Sequence, residues 1–275
     1  MKFLDSTKID KKRWDELVGS SSKNNVFCYS WYLDATTEKW GAILEDDYRF
    51  GMPLPYKNRI LYKKAFQHPY SRNIDFFGDE KLLKNAEDSI QQFYSFSFHF
   101  NHQLKFNSTI KKYQELNLKE EIVYKKNTLR ILEKNKNHFH FKFSKNIEPV
   151  LSLYFANSFN KIKQQSKNKK FLSQLMQNAI ENQKGETLEV YNTSNELVAS
   201  AFFILDKKTV YYLIGDASIE NKKNGVIFSL MDHAIKHYIN EFSIFDFGGS
   251  NIESVATFYK KMGGKDVEYY QYSKH

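Results

Sequence analysis

Cysteine is nearly absent: Cys28 is the only one in 275 residues. That excludes a disulfide framework and a cysteine-based metal centre. Proline (4) and glycine (11) are also scarce, which excludes collagen-like, linker-rich and low-complexity arrays. No apolar run approaches the roughly 20 residues that a spanning helix needs, so no membrane insertion is expected. The opening Met1-Lys2-Phe3-Leu4-Asp5-Ser6 turns polar at once and has no secretion-signal core. A cytoplasmic location is the default expectation. A P-loop, a Rossmann glycine fingerprint, a Gly-x-Ser-x-Gly elbow and a nucleophile setting for Cys28 are all missing.

What the chain does have is aromatic mass: 16% aromatic and 41% hydrophobic residues, enough for one large core or two ordinary ones. The net charge of +9 permits a partner bearing phosphate or nucleic acid. It equally describes a lysine-rich surface, since lysines recur from Lys11-Lys12 to Lys222-Lys223.

Trp14, Leu17 and Val18 predict a helix over 10–18. Residues 40–44 and 48–54 predict a hairpin, with Pro53 and Pro55 ending its pairing. A strand over 73–79, a helix over 80–93, a strand over 96–100, a short helix over 108–116 and a strand over 121–124 follow. The second half predicts helices over 148–159 and 169–182 and strands over 186–191, 197–205 and 210–214. A helix over 226–239, a strand over 243–247, a helix over 253–262 and a strand over 267–272 complete it. Phe76-Phe77-Gly78-Asp79 matches Leu213-Ile214-Gly215-Asp216 in role, and 110–115 matches 257–261. The reading is a tandem duplication of one α/β unit, with domains 1–135 and 136–275.

The segments Phe245-Asp246-Phe247-Gly248-Gly249-Ser250 and Ala256-Thr257-Phe258-Tyr259-Lys260-Lys261-Met262-Gly263-Gly264 read as strand, glycine turn and helix. They resemble the end of a GNAT acyltransferase fold. The Asp-Phe-Gly-Gly variant is similar to Fem-type aminoacyltransferases, as is the opening with a Trp helix, an aromatic segment and a hairpin ending Pro-Leu-Pro. The resemblance implies an α/β protein with mixed sheets, built of two tandem GNAT-like units. The second would hold the active cleft and the first would be degenerate. It implies acyl-coenzyme A or aminoacyl-tRNA as donor, an amine as acceptor, direct attack and no metal. The Fem-type coiled arm that grips tRNA is not evident in the sequence.

By the same resemblance, two splayed strands bind the donor through Tyr212, Leu213, Ile214 and Gly215 on one side and Gly248 and Gly249 on the other. Lys222, Lys223, Asn224 and Gly225 form the phosphate loop, although Ile227 stands where the family has a small residue. Tyr259 protonates the leaving group, or else packs under the sheet. Asp246 is a base or amine anchor, or else caps a turn. Asp216 and Lys260 line the substrate side, Lys260 being otherwise a solvated lysine. His138 with His140, and His233 with His237, have spacings that can hold zinc, but no third ligand is evident. Two rival readings are a catalytically inactive binding module of the same fold and a nucleic-acid binder.

Overall fold

The computed structural model describes residues 1–23, 25–157, 166–249 and 252–274. The chain divides into two units, Met1–Lys111 with the segment from Glu268 onward, and Lys112–Val267. This division differs from the expected 1–135 and 136–275: residues 112–135 pack with the second half, and the last strand pairs within the first.

In the first unit, β1 (Lys2–Asp5) precedes α1 (Lys11–Ser20). Asp10 caps α1 by accepting from Lys12 N at 3.0 Å and Arg13 N at 3.2 Å. One turn apart, Trp14 and Val18 are buried, and Trp14 Nε1 donates to Cys28 O at 2.9 Å. After α2 (Ser30–Thr36) come β2 (Trp40–Leu44), β3 (Phe50–Asn58), β4 (Lys63–Phe66), β5 (Phe77–Gly78), α3 (Leu83–Gln91) and β6 (Ser95–Phe100). The sheet order is β1-β2-β3-β4-β6, β5 pairs with β3, and β4 runs parallel to β6. Trp14, Trp40, Phe50, Phe76 and Phe77 fill the core.

Pro53 and Pro55 do not end pairing, contrary to expectation: they lie opposite Ala42 and Trp40 inside β3. Tyr56 N donates to Lys39 O, so N–H direction alternates to place both proline nitrogens on the edge away from β2. Among the described residues, partner strands reach that edge at Phe50–Gly51 and from Tyr56 onward, so neither proline costs a ladder bond there.

The expected helix over 108–116 is a strand, β7 (Ser108–Asn117). Its lysine and glutamate spacing reads as helical, but Leu116 opposite Phe245 and Glu115 opposite Asp246 give it a sheet partner, and tertiary pairing overrides local preference. The expected strand over 121–124 has no regular structure. The match of 110–115 to 257–261 therefore fails, one being strand and the other helix, and the strand expected over 73–79 is reduced to β5 and an Ile74–Phe100 bridge.

The second unit continues with α4 (Lys126–Asn135), β8 (Phe139–Ser144), α5 (Glu148–Asn157), α6 (Ser166–Glu181), β9 (Gly185–Asn192), β10 (Leu197–Asp206) and β11 (Thr209–Ala217). Then follow α7 (Ile219–Lys223), α8 (Val226–Tyr238), β12 (Ile244–Gly249), α9 (Glu253–Lys261) and β13 (Lys265–Lys274), whose far end pairs with β6, Tyr270 opposite Phe100. The end of the helix expected over 148–159, and Ser250 of the glycine turn, lie outside the described residues. The sheet order is β7-β12-β11-β10-β9-β8, with only β11–β12 parallel among the described pairings of this unit. Leu188, Val190, Phe203, Phe245 and Phe247 form a core with Leu230, Met231 and Ile235 of α8. No helix among the described residues is long and apolar enough to cross a membrane.

Tyr56 donates its hydroxyl to the Asp5 carboxylate. This bond, with those from Thr7, holds the Asp5 carboxyl down at about 2, while burial and Asp5 push the Tyr56 phenol up to about 12. A carboxyl normally near ~3.9 then stabilises the fold above that pH and loses its contribution as pH falls through its folded value. Urea unfolding from about pH 5 to about pH 2 is expected to show wild type losing stability across this window. Tyr56→Phe should start lower and fall less steeply; parallel curves would contradict the linkage.

Candidate active site

Parallel β11 and β12 begin as an ordinary pair: Thr209 lies opposite Ile244, Val210 opposite Phe245 and Tyr211 opposite Asp246. The pairing stops there among the described residues. Beyond it β11 keeps to β10, from Tyr212 opposite Phe203 to Ala217 opposite Ala199. β12 keeps to β7, with Gly248 opposite Gln114 and Gly249 opposite Tyr113. Each strand has a register shift at the parting, between Phe202/Phe203 on the β10 ladder, where Leu213 is skipped, and between Asp246/Gly248 on the β7 ladder. A bulge bends its strand and increases local twist. The two strands therefore splay, and the edges of 212–217 and 247–249 are not paired with each other among the described residues. The expected donor residues Tyr212, Leu213, Ile214, Gly215, Gly248 and Gly249 all lie on those edges.

Alternation along the strands separates the side chains onto two faces. On the α8–α9 face, Phe247 stacks on Tyr259, with ring centroids 5.2 Å apart and planes at 21°. Tyr212 meets the same ring edge-on at 6.4 Å and 74°. Tyr259 thus touches the first residue of β11 past the parting and the corresponding stretch of β12, while keeping 8% of its surface exposed. Tyr212 also leans over Gly215, where a Cβ would stand 2.6 Å from its Oη. Gly215 is small because the phenol needs that space.

On the opposite face, the register aligns Glu115, Asp246 and Tyr211 across three strands. Asp246 is buried and its Oδ1 accepts from Gly248 N at 2.6 Å, which supports the left-handed Gly248 at φ +93°. Burial, then Asp246, pushes the Tyr211 phenol well up. Burial, then Glu115 and Asp246, does the same to Tyr113. Glu115 and Tyr113 were missed from the sequence because β7 read as a helix; the burial of Tyr113 and Leu116 on opposite faces is the strand signature.

The expected phosphate loop takes a different form. Lys222 and Lys223 end α7, a short helix capped by Ser218, and Lys222 pairs with the buried Asp216 carboxylate. Asp216 Oδ1 also accepts from Ala217 N at 2.8 Å. Asp216 thus anchors α7 instead of standing open to substrate. Gly225 is buried. Its φ of +80° starts α8, and a Cβ there would meet Ile131 Cγ2 at 2.5 Å. Asn135 Nδ2 donates to Asn224 O at 3.0 Å, so α4 covers this corner. Lys223 alone of the loop's lysines is exposed without an ion pair among the described residues. Lys260 Nζ pairs with Asp266 at 2.9 Å and holds that carboxyl below its usual range.

His233 and His237 serve as aromatic plates. His233 stacks on Phe141 at 4.1 Å and 5°, and His237 on Phe143 at 4.0 Å and 24°. No group of metal-binding side chains occurs among the described residues.

Residues 144–261 match the family model for the acetyltransferase (GNAT) domain. No curated protein matches the chain by sequence. Among solved structures, FemX is similar at 12% identity and a TM-score of 0.67, covering 99% of this chain and 97% of FemX. The C-terminal domain of a protein assigned as a lysylphosphatidylglycerol synthetase from Agrobacterium fabrum matches at 10% identity and a TM-score of 0.64, covering 97% and 92%. A tandem GNAT protein from the clavulanic acid biosynthesis pathway matches at 7% identity and a TM-score of 0.52, covering 99% and 97%. Residues 144–261 thus resemble a GNAT acetyltransferase domain, and the whole chain is similar in fold to FemX and to the tandem GNAT protein.

Proposed function

We propose that this protein transfers an acyl group from acyl-coenzyme A to a primary amine in the gap between β11 and β12. The parting of those strands after Tyr211 and Asp246 is the observation that carries this reading. An amide-rich donor arm would lie between the parted strands and bond to their backbone as a third strand does. An aminoacyl-tRNA ester is the alternative donor for the same gap.

In this scheme the amine nitrogen attacks the thioester carbonyl, the C–N bond forms and the C–S bond breaks. The Asp246 carboxylate first takes a proton from the bound ammonium to free its lone pair; the Tyr259 hydroxyl gives its proton to the departing thiolate, and the proton that the nitrogen loses on becoming an amide returns to the Tyr259 phenolate. Glu115 and Asp246 on one face make the acceptor side negative, which draws a cationic amine. Holding both reactants in one gap contributes through orientation.

A second reading, a silent binding module, draws on the covered corner at Gly225 and the Asp216–Lys222 pair. Thermal-shift titration with acetyl-coenzyme A, longer acyl-coenzymes A and charged tRNA separates the two. A donor at a hundredfold its Kd should add about 2.7 kcal/mol. Gly249→Val should abolish that shift without loss of fold, because the nearest atom to a Cβ there is 3.5 Å away. No shift with any donor would select the silent module.

Tyr259→Phe keeps the ring stack and removes the proton. It is expected to lower kcat by about 10²–10⁴ with donor stabilisation intact; an unchanged kcat in steady-state assay would exclude the acid role. Asp246→Asn keeps an oxygen for Gly248 N. It is expected to lower kcat/KM for the amine by about 10² while donor binding stays. Equal kcat/KM across amines would reduce Asp246 to turn support.

A further inference from the structure

A cavity of about 1070 Å³ lies among α4, β8 and α8, wholly within the second unit and away from the parted strands. It is as large as the biggest ordinary small-molecule sites. Its walls are Leu129, Leu132, Phe139, Phe141 and Ile239. Leu129 keeps 53% of its surface exposed. The His233 ring, flat on Phe141 and pushed down by burial, extends the apolar wall without adding charge.

The lining also carries basic groups. Lys126 and Arg130 stand one turn apart on α4 and line the cavity, and neither makes an ion pair among the described residues. Like charges at this spacing oppose helix formation. The first turn of α4 has no acidic residue, and Lys125, at its N-cap, provides no side-chain cap. Cations there also stand against the positive end of the helix dipole. Of the two acids in the lining, Glu133 pairs with Lys136 at 3.8 Å, and Asp232 pairs through Oδ2 with Lys236 at 2.7 Å while its Oδ1 is buried without a hydrogen bond among the described residues. An anion between Lys126, Arg130 and the start of α4 would relieve every one of these conflicts.

We infer that this cavity binds a single-chain anionic amphiphile, with its hydrocarbon along Leu129, Leu132, Phe139, Phe141 and Ile239 and its carboxylate or phosphate head at Lys126 and Arg130. The inference does not rest on the acyl-transfer reading.

The test is fluorescence titration of the full chain with a fluorophore-labelled long-chain fatty acid. Competitors are an unlabelled alkyl carboxylate, an alkyl phosphate and an alcohol of equal chain length. Either anion should compete at least about tenfold better than the alcohol, and the stronger of the two identifies the head group. Lys126→Glu with Arg130→Glu, and separately Leu129→Asp, should each weaken the probe by about tenfold, a change of about 1.4 kcal/mol. All three residues are exposed, so melting temperatures should hold; if the double variant melts early, Arg130→Gln is read in its place. Gly249→Val should leave binding unchanged. Failure to bind the probe, an alcohol equal to the anions, or indifference to the α4 substitutions would overturn the inference. So would capture on vesicles of anionic diacyl lipid without binding of the single-chain probe.

Discussion

The site depends on a ladder that stops short. β11 and β12 share Thr209–Ile244, Val210–Phe245 and Tyr211–Asp246 and then separate, because each is held more extensively by its outer neighbour. β10 takes the whole of β11 and β7 takes the tip of β12, with a bulge on each ladder to absorb the divergence. Past Tyr211 and Asp246 the two inner edges are no longer paired with each other among the described residues. The residues around this parting serve it. Gly215 makes space for Tyr212, Gly248 turns the chain under Asp246, and Tyr259 lies against both strands.

The two faces of the parting have opposite character. One is aromatic, with Phe247, Tyr212 and Tyr259 in contact. The other gathers Glu115, Asp246, Tyr211 and Tyr113, and burial, then its carboxylates, push the phenols toward the neutral form. A reaction that joins a neutral carbonyl to a cationic amine has use for both. The corner expected to hold phosphate is instead occupied by the protein itself: Ile131 covers Gly225 and Asp216 holds Lys222. Of its basic groups, Lys223 is left to face solvent.

Much of the fold was legible in the sequence. Most of the second half was read, since its strands are long apolar runs and its helices have clear periodicity, but β8 and α7 were not. The role of Asp246 in its turn was also legible from a lone carboxylate before two glycines. What escaped reading was set by distant partners. β7 looked helical until Phe245 and Asp246 supplied its mates. Pro53 and Pro55 looked like terminators because sequence does not tell which edge a proline nitrogen faces. The loop at 220–225 looked open because nothing local announces that Ile131, some ninety residues earlier, lies over Gly225.

The burial of Trp14 and Trp40 together in the first core has a practical consequence. The chain's three tryptophans, at 14, 31 and 40, all fall in the first unit. Indole emission therefore tracks opening of that unit alone, whereas the parted strands carry only phenols. Reading an indole melt against a backbone signal that sums over both units separates opening of the first unit from that of the second, without labels.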